Sequence, residues 1–170
     1  MTELVTAAMN GAIGAEISRR VSFPISESDI RKWAIAVYYP HHPPARYWDS
    51  AYVADKLDGR LVAPHEFNPF AWMTAVPAGF PKVDRLDPDL LEKSLGIEGP
   101  GLKHQLNGGL EVDYHGDLVA GDVITAVRNL ASYTQRSGRL GEMLFTTVRE
   151  TWINQAGETV QVRRQTGIRY

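Results

Sequence analysis

Two hydrophobic periodicities divide this chain, with an irregular stretch between them. In "FPISESDIRKWAIAVYY", Ile30, Trp33, Ala34 and Val37 fall on one stripe with a period of about 3.6 residues. Ser26 followed three residues later by Asp29 is a capping-box start. The pattern predicts an amphipathic helix that stops at Pro40. A second short helix is predicted to open at Asp49 or Ser50 and run through "AYVADKL", with Gly59 as a left-handed terminator. In "NPFAWMTAV", Asn68 is placed to cap and Pro69 takes the first helical position, where its missing N–H costs nothing. That helix, Asn68 to Val76, is mostly apolar and bounded by Pro77, so it is predicted to be buried, with Trp72 and Met73 in the core.

From Pro77 to Lys103 the chain is rich in Pro and Gly and carries at most a turn or two of helix around "DPDLLEKSL". It reads as a long surface excursion of the lid or partner-contact kind. Beyond it the period becomes two. "LEVDYHG", "DVITAVRNLASYTQ", "EMLFTTVRETWIN" and "ETVQVRRQTGIRY" are β-branched and aromatic-rich, separated by the turns "LVAGD", "RSGRLG" and "NQAGE". Short turns between consecutive strands imply an antiparallel sheet. A buried helix followed by such strands predicts an α+β layer in which a curved sheet wraps a helix.

Composition narrows the function classes. The 170 residues, 44% of them hydrophobic, suffice for one core, so residues 1–170 are expected to form a single domain. With 18 basic and 20 acidic side chains the formal net charge is −2, which offers no field to nucleic acid or an anionic membrane. Small molecules or other proteins are the expected partners. The absence of cysteine rules out a disulfide framework, thiolate catalysis and cysteine-ligated zinc. No apolar run approaches the roughly 18 residues of a membrane span, and the start lacks a basic signal region. A cytoplasmic setting is the expectation.

The segments "ISESDIRKWAIAV", "RYWDSAYVADKLDGRLVAP", "NGGLEVDYHGDLVAGDVITA" and "NQAGETV", in that order, resemble the N-terminal-type, FAS1-like MaoC dehydratase domain, a hot-dog fold of the acyl-thioester hydratase group. The resemblance runs from about Gly11 to Tyr170, leaving out the excursion. It implies a sheet around a central helix, with an acyl thioester bound in a tunnel where the domain meets a second copy or a catalytic MaoC-like subunit. Active members hydrate an enoyl thioester, or dehydrate a 3-hydroxyacyl thioester, with the motif Asp-x-Asn-Pro-x-His. Water must be held and deprotonated while a carbon receives a proton, work suited to a paired carboxylate and imidazole. Registered on this chain, the motif puts its aspartate at His42, its Asn-Pro at Pro44 and Ala45, and its histidine at Tyr47. Neither catalytic identity is present. The resemblance therefore implies a non-catalytic, substrate-binding half, with no cofactor and a coenzyme A thioester as substrate.

Each candidate residue also has a plain structural reading. His41 and His42, flanked by prolines, are either a base or an ordered loop, and no carboxylate in the pattern orients them. Asn68 and Trp72 are candidate substrate contacts on the central helix, or capping and core residues. Asn107, Gly108 and Gly109 offer small residues for a ligand to approach, or a bulge at a strand start. Arg163 and Arg164 are a candidate phosphate contact or a solvated strand face. "HEFN" at His65 is half of a zinc motif without its second histidine, so no metal is expected. Three other functions stay open: a self-sufficient hydratase with a degenerate His42/Tyr47 site, a scaffold module for a lipid-metabolism enzyme, and a thioesterase using Glu66.

Overall fold

The computed structural model describes residues 3–71, 87–139 and 141–170. Among them four short helices precede or interrupt five strands. The helices are α1 (Ala7–Gly11), α2 (Glu27–Tyr38), α3 (Ser50–Lys56) and α4 (Leu90–Ser94). The strands are β1 (Glu16–Val21), β2 (Gln105–Tyr114), β3 (Thr125–Gly138), β4 (Gly141–Ile153) and β5 (Thr159–Arg169). They form one antiparallel sheet in the order β1-β3-β4-β5-β2, and this is the hot-dog architecture expected from the sequence. None of the described helices is long and apolar enough to cross a membrane.

Cap chemistry sets the helices. The Ser26 side chain accepts the Asp29 N–H at 3.1 Å and starts α2, while Asp49 Oδ1 accepts the N–H groups of Ala51 and Tyr52 and starts α3. Ile30 and Ala34 bury the inner stripe of α2 completely, with Trp33 packed beside them. Val37, expected on that stripe, is exposed, because the last turn of α2 runs past the core. Asn68 Oδ1 accepts the Phe70 N–H at 3.0 Å, as a cap should. The helix it was expected to open, with Trp72 and Met73, lies outside the described residues from residue 72 onward.

The main core joins one face of the sheet to the segments before it. Trp152, Ile124, Ala126 and Val160 pack against Ile25, Ile30, Val53, Leu61, Phe67 and Phe70. Burying a side chain such as Trp152, 1% exposed, contributes roughly 1.5–3 kcal/mol or more by area. "DGRLVAP" and "YHGDLVAGD" lie side by side. Val62 bridges Val119, the Ala63 N–H donates to the Leu118 carbonyl at 2.8 Å, and the Ala120 N–H to the Leu61 carbonyl at 2.9 Å. Gly121, at φ 91°, makes the sharp turn that only glycine adopts freely, and Asp122 ties it down by accepting the Val119 N–H and the Gln155 side-chain amide.

The described part of the excursion, residues 87–103, is not a loose surface loop. α4 is pinned to the sheet by Arg169, which is 4% exposed and donates to both oxygens of the fully buried Glu92 at 2.8 and 2.7 Å. The same guanidinium reaches Asp89, the Pro88 carbonyl and Thr146, and the Tyr133 hydroxyl donates to Glu92 at 2.7 Å. Burial alone raises the Glu92 carboxyl, but the hydrogen bonds from Arg169 and Tyr133 outweigh it and hold the group below its ordinary value.

Candidate functional site

Two regions hold the residues singled out in the sequence. The first is the loop after α2. Pro40 cannot continue the helix, and Arg31 fastens the far side of the loop by donating to the Trp48 carbonyl and to Ser50. His41 and His42 are exposed and line a groove of about 280 Å³ with Ile35, Tyr39 and Trp48. No carboxylate hydrogen-bonds to either imidazole among the described residues. Tyr47 is half-buried and stacked on Tyr38, their ring centres 6.0 Å apart, with the Arg46 guanidinium 5.2 Å from the Tyr47 ring. Burial pushes the Tyr47 phenol above its ordinary value, against the pull of Arg46, so it stays protonated at neutral pH. It can donate a hydrogen bond there but cannot serve as a base. Arg46 pairs with Asp117 at 3.6 Å, and Asp49 is committed to capping α3.

The second region is a groove across the core-facing side of the sheet, made of three connected chambers. The outermost, about 440 Å³, is lined by Pro88, His104, Leu106, Asn107 and Thr166 at the β2 edge. It shares Pro88, Gln105, Gln165 and Gly167 with a middle chamber of about 180 Å³, which reaches Leu91, Thr146 and Arg169. The middle chamber in turn shares Arg128, Val148 and Gln165 with an inner one of about 210 Å³ around Arg20, Glu150 and Arg163. Asn107 therefore stands at the mouth of this groove. Its Oδ1 accepts the Gly109 N–H at 3.1 Å, and the β2 register shifts between Asn107 and Gly109, the bulge expected of the glycine pair. Gly108 has a packing reason to be glycine: an added Cβ would sit 2.9 Å from Ile168 Cγ1 and 3.0 Å from the Thr166 carbonyl oxygen.

The sequence candidates are not gathered into one site. His42 and Tyr47 belong to the loop, Asn107 to the groove mouth and Asn68 to the core beside Phe70, while Trp72 lies outside the described residues. Sequence reasoning missed the groove's inner wall. It treated Arg163 and Arg164 as a pair, whereas strand alternation sends them to opposite faces. Arg164 pairs with Asp113 at 2.6 Å on the outer face, and Arg163 lies over Trp152 inside. Among the described residues no cluster of three His, Asp or Glu side chains could hold a metal ion, and His65 stacks on Tyr114 at 4.4 Å.

A model of the FAS1-like dehydratase domain region matches residues 11–163. The chain belongs to that family. Solved structures agree on the fold. A chain of the ChsH1–ChsH2 complex from Mycobacterium tuberculosis superposes with a TM-score of 0.60 at 20% identity, covering 92% of this chain and 84% of that one. The R-hydratase PhaJ1 of Pseudomonas aeruginosa gives 0.54 at 15% identity, covering 91% and 79%. A MaoC-like dehydratase of Rhodospirillum rubrum gives 0.54 at 18% identity, covering 94% and 92%. No curated protein matches the chain. In this FAS1-like dehydratase domain, then, the loop and the groove are the two candidate sites.

Proposed function

We propose that this FAS1-like dehydratase domain is the non-catalytic, substrate-binding half of an enoyl-thioester hydratase or 3-hydroxyacyl-thioester dehydratase, paired with a catalytic MaoC-like subunit. The observation that carries the reading is the loop after α2. Hydration needs a base for the water proton and an acid for the carbon. Where the family pattern puts its aspartate and histidine, this chain has an exposed His42 without a carboxylate and a Tyr47 phenol held protonated. The neighbouring carboxylates of Asp49 and Asp117 are engaged in a helix cap and an ion pair.

Partnership is supported by β2. It is a ten-residue edge strand with one side of its backbone unpaired among the described residues, and Leu106, Leu110 and Tyr114 are each more than 40% exposed along it. A second hot-dog domain, identical or catalytic, would cover that edge and wall the groove mouth beside Asn107. The thioester, on coenzyme A or a carrier protein, lies in the groove, with a cytoplasmic setting to which the cysteine-free chain is suited.

The test is hydration of crotonyl-CoA and a longer enoyl-CoA by the purified chain alone, with calorimetric binding of a saturated acyl-CoA in parallel. We expect binding with a slow rate, lower by about 10²–10⁴-fold for each missing proton-transfer role. That rate should not change in His42→Ala or Tyr47→Phe. A fast rate that collapses in His42→Ala would instead establish a self-sufficient hydratase.

A further inference from the structure

The inner chamber of the groove is the wrong chemistry for the end of a plain hydrocarbon chain. Arg20, Arg128 and Arg163 line it together with one acid, Glu150. Glu150 is already saturated: Arg20 approaches its two oxygens at 3.4 and 3.2 Å, Arg128 at 3.5 Å, and the Trp152 indole N–H donates at 2.6 Å. Among the described residues, three guanidiniums against one carboxylate leave a surplus of two positive charges along this wall.

Arg163 is the unmatched one. It stands directly across the β4–β5 ladder from Glu150, yet no acidic side chain pairs with it among the described residues, and its Nε is buried without a hydrogen-bond partner. Its guanidinium is held 5.0 Å from the Trp152 ring centre, and that of Arg20 lies 4.4 Å from the Phe70 ring centre. The two rings brace each other edge to face at 5.3 Å. Two cations are thus stacked on a fixed aromatic pair, so little ordering cost remains when an anion arrives.

We propose that this chamber receives a carboxylate carried at the far end of the acyl chain, so that the thioester bound by this domain is an ω-carboxyacyl thioester. The inference rests on the thioester-binding reading above. At about 210 Å³ the chamber is smaller than the roughly 300–1,000 Å³ of a whole-ligand pocket and suits an end group. It lies at the other end of the groove from the wide chamber around His104 and Asn107, which is left for the bulkier carrier portion. Gln165, shared by all three chambers, and Val148, shared by the inner two, give the connecting wall mixed polarity.

The experiment is calorimetric titration of the full chain with coenzyme A, with hexanoyl-CoA, and with ω-carboxyacyl-CoAs from succinyl to suberoyl. It is repeated for Arg163→Gln, Arg163→Lys and Arg128→Gln after circular dichroism has shown each variant folded. One member of the series should bind at least about tenfold more tightly than the unsubstituted acyl-CoA of its length, the worth of one charge-assisted hydrogen bond. Arg163→Gln and Arg128→Gln should each erase most of that preference while leaving hexanoyl-CoA unchanged, and Arg163→Lys should keep part of it. No preference anywhere in the series overturns the proposal. So does an Arg163→Gln variant that weakens coenzyme A itself by the same factor, which would make the arginines readers of its phosphates. If acyl-CoAs fail to bind but free adipate binds in an Arg163-dependent way, the carboxylate site stands and the thioester reading falls. Failure of every ligand overturns both.

Discussion

Replacing Arg169 with methionine tests whether the buried ion cluster is what anchors α4 to the sheet. In the wild type this guanidinium makes five hydrogen bonds, to Glu92 twice and to Asp89, the Pro88 carbonyl and Thr146, at 2.7–3.0 Å. Methionine fills similar space and leaves Glu92, 0% exposed, and Asp89, 7% exposed, without a counter-charge. Breaking a buried pair from one side costs about 3–5 kcal/mol, most of it the penalty of the stranded charge. The pH dependence separates this cause from lost packing. Glu92 has its folded pKa below the unfolded value of about 4.3, so its stabilising contribution is complete above that pH and is lost as pH falls through the folded pKa. In Arg169→Met the sign reverses, because burial without a partner lifts the carboxyl and protonation then relieves the variant. Urea unfolding at pH 7 should therefore show a loss of about 3–5 kcal/mol, and the gap should shrink to less than half near pH 4. A loss under about 1 kcal/mol at pH 7, or an equal gap at both pH values, would refute the assignment.

Two further perturbations probe the groove mouth and the open edge. Gly108→Ala should destabilise by about 1–3 kcal/mol in thermal or urea unfolding, because the new Cβ meets the Thr166 carbonyl, a backbone atom that cannot rotate away. An unchanged midpoint would show that β2 and β5 separate at no cost there. Leu106→Lys, on the exposed β2 edge, should shift the chain from a larger species toward monomer in sedimentation velocity while leaving its circular dichroism spectrum unaltered. A wild-type chain that is monomeric at every concentration would count against the paired-domain reading.

The parts of the fold legible in the sequence are those fixed by local chemistry or by a one-sided environment. Ser26 and Asp49 announce α2 and α3 because a cap is a contact between residues two or three apart. β3, β4 and β5 announce themselves by alternation because one face rests on the core, where Ala126, Trp152 and Val160 are buried. β1 was not foreseen, and its sequence "EISRRV" explains why. Among the described residues it pairs only with β3, and it is exposed along nearly its whole length, so burial imposes no period on it. The extension of β2 back to Gln105, ahead of the glycine pair expected at its start, was not foreseen for the same reason, being exposed. The anchoring of residues 87–103 of the excursion was not legible because it joins residues 77 positions apart, and a charge in a sequence says nothing of its burial.

The candidate site divides along the same line. Loss of the Asp and His identities is visible from neighbouring positions of one loop, with His42 and Tyr47 standing where the motif should be, so it needs no coordinates. The positive chamber is a matter of register. Glu150 pairs with Arg128 on one side and Arg163 on the other, and Arg20 arrives from the far edge of the sheet, at separations no local pattern connects. Alternation alone would have split Arg163 from Arg164, but only the register, with Glu150 opposite Arg163, puts the former on the Trp152 side. What alternation cannot supply is the count of charges facing one cavity. Among the described residues that count makes this end of the groove cationic, and it is the observation on which the proposed choice of acyl chain rests.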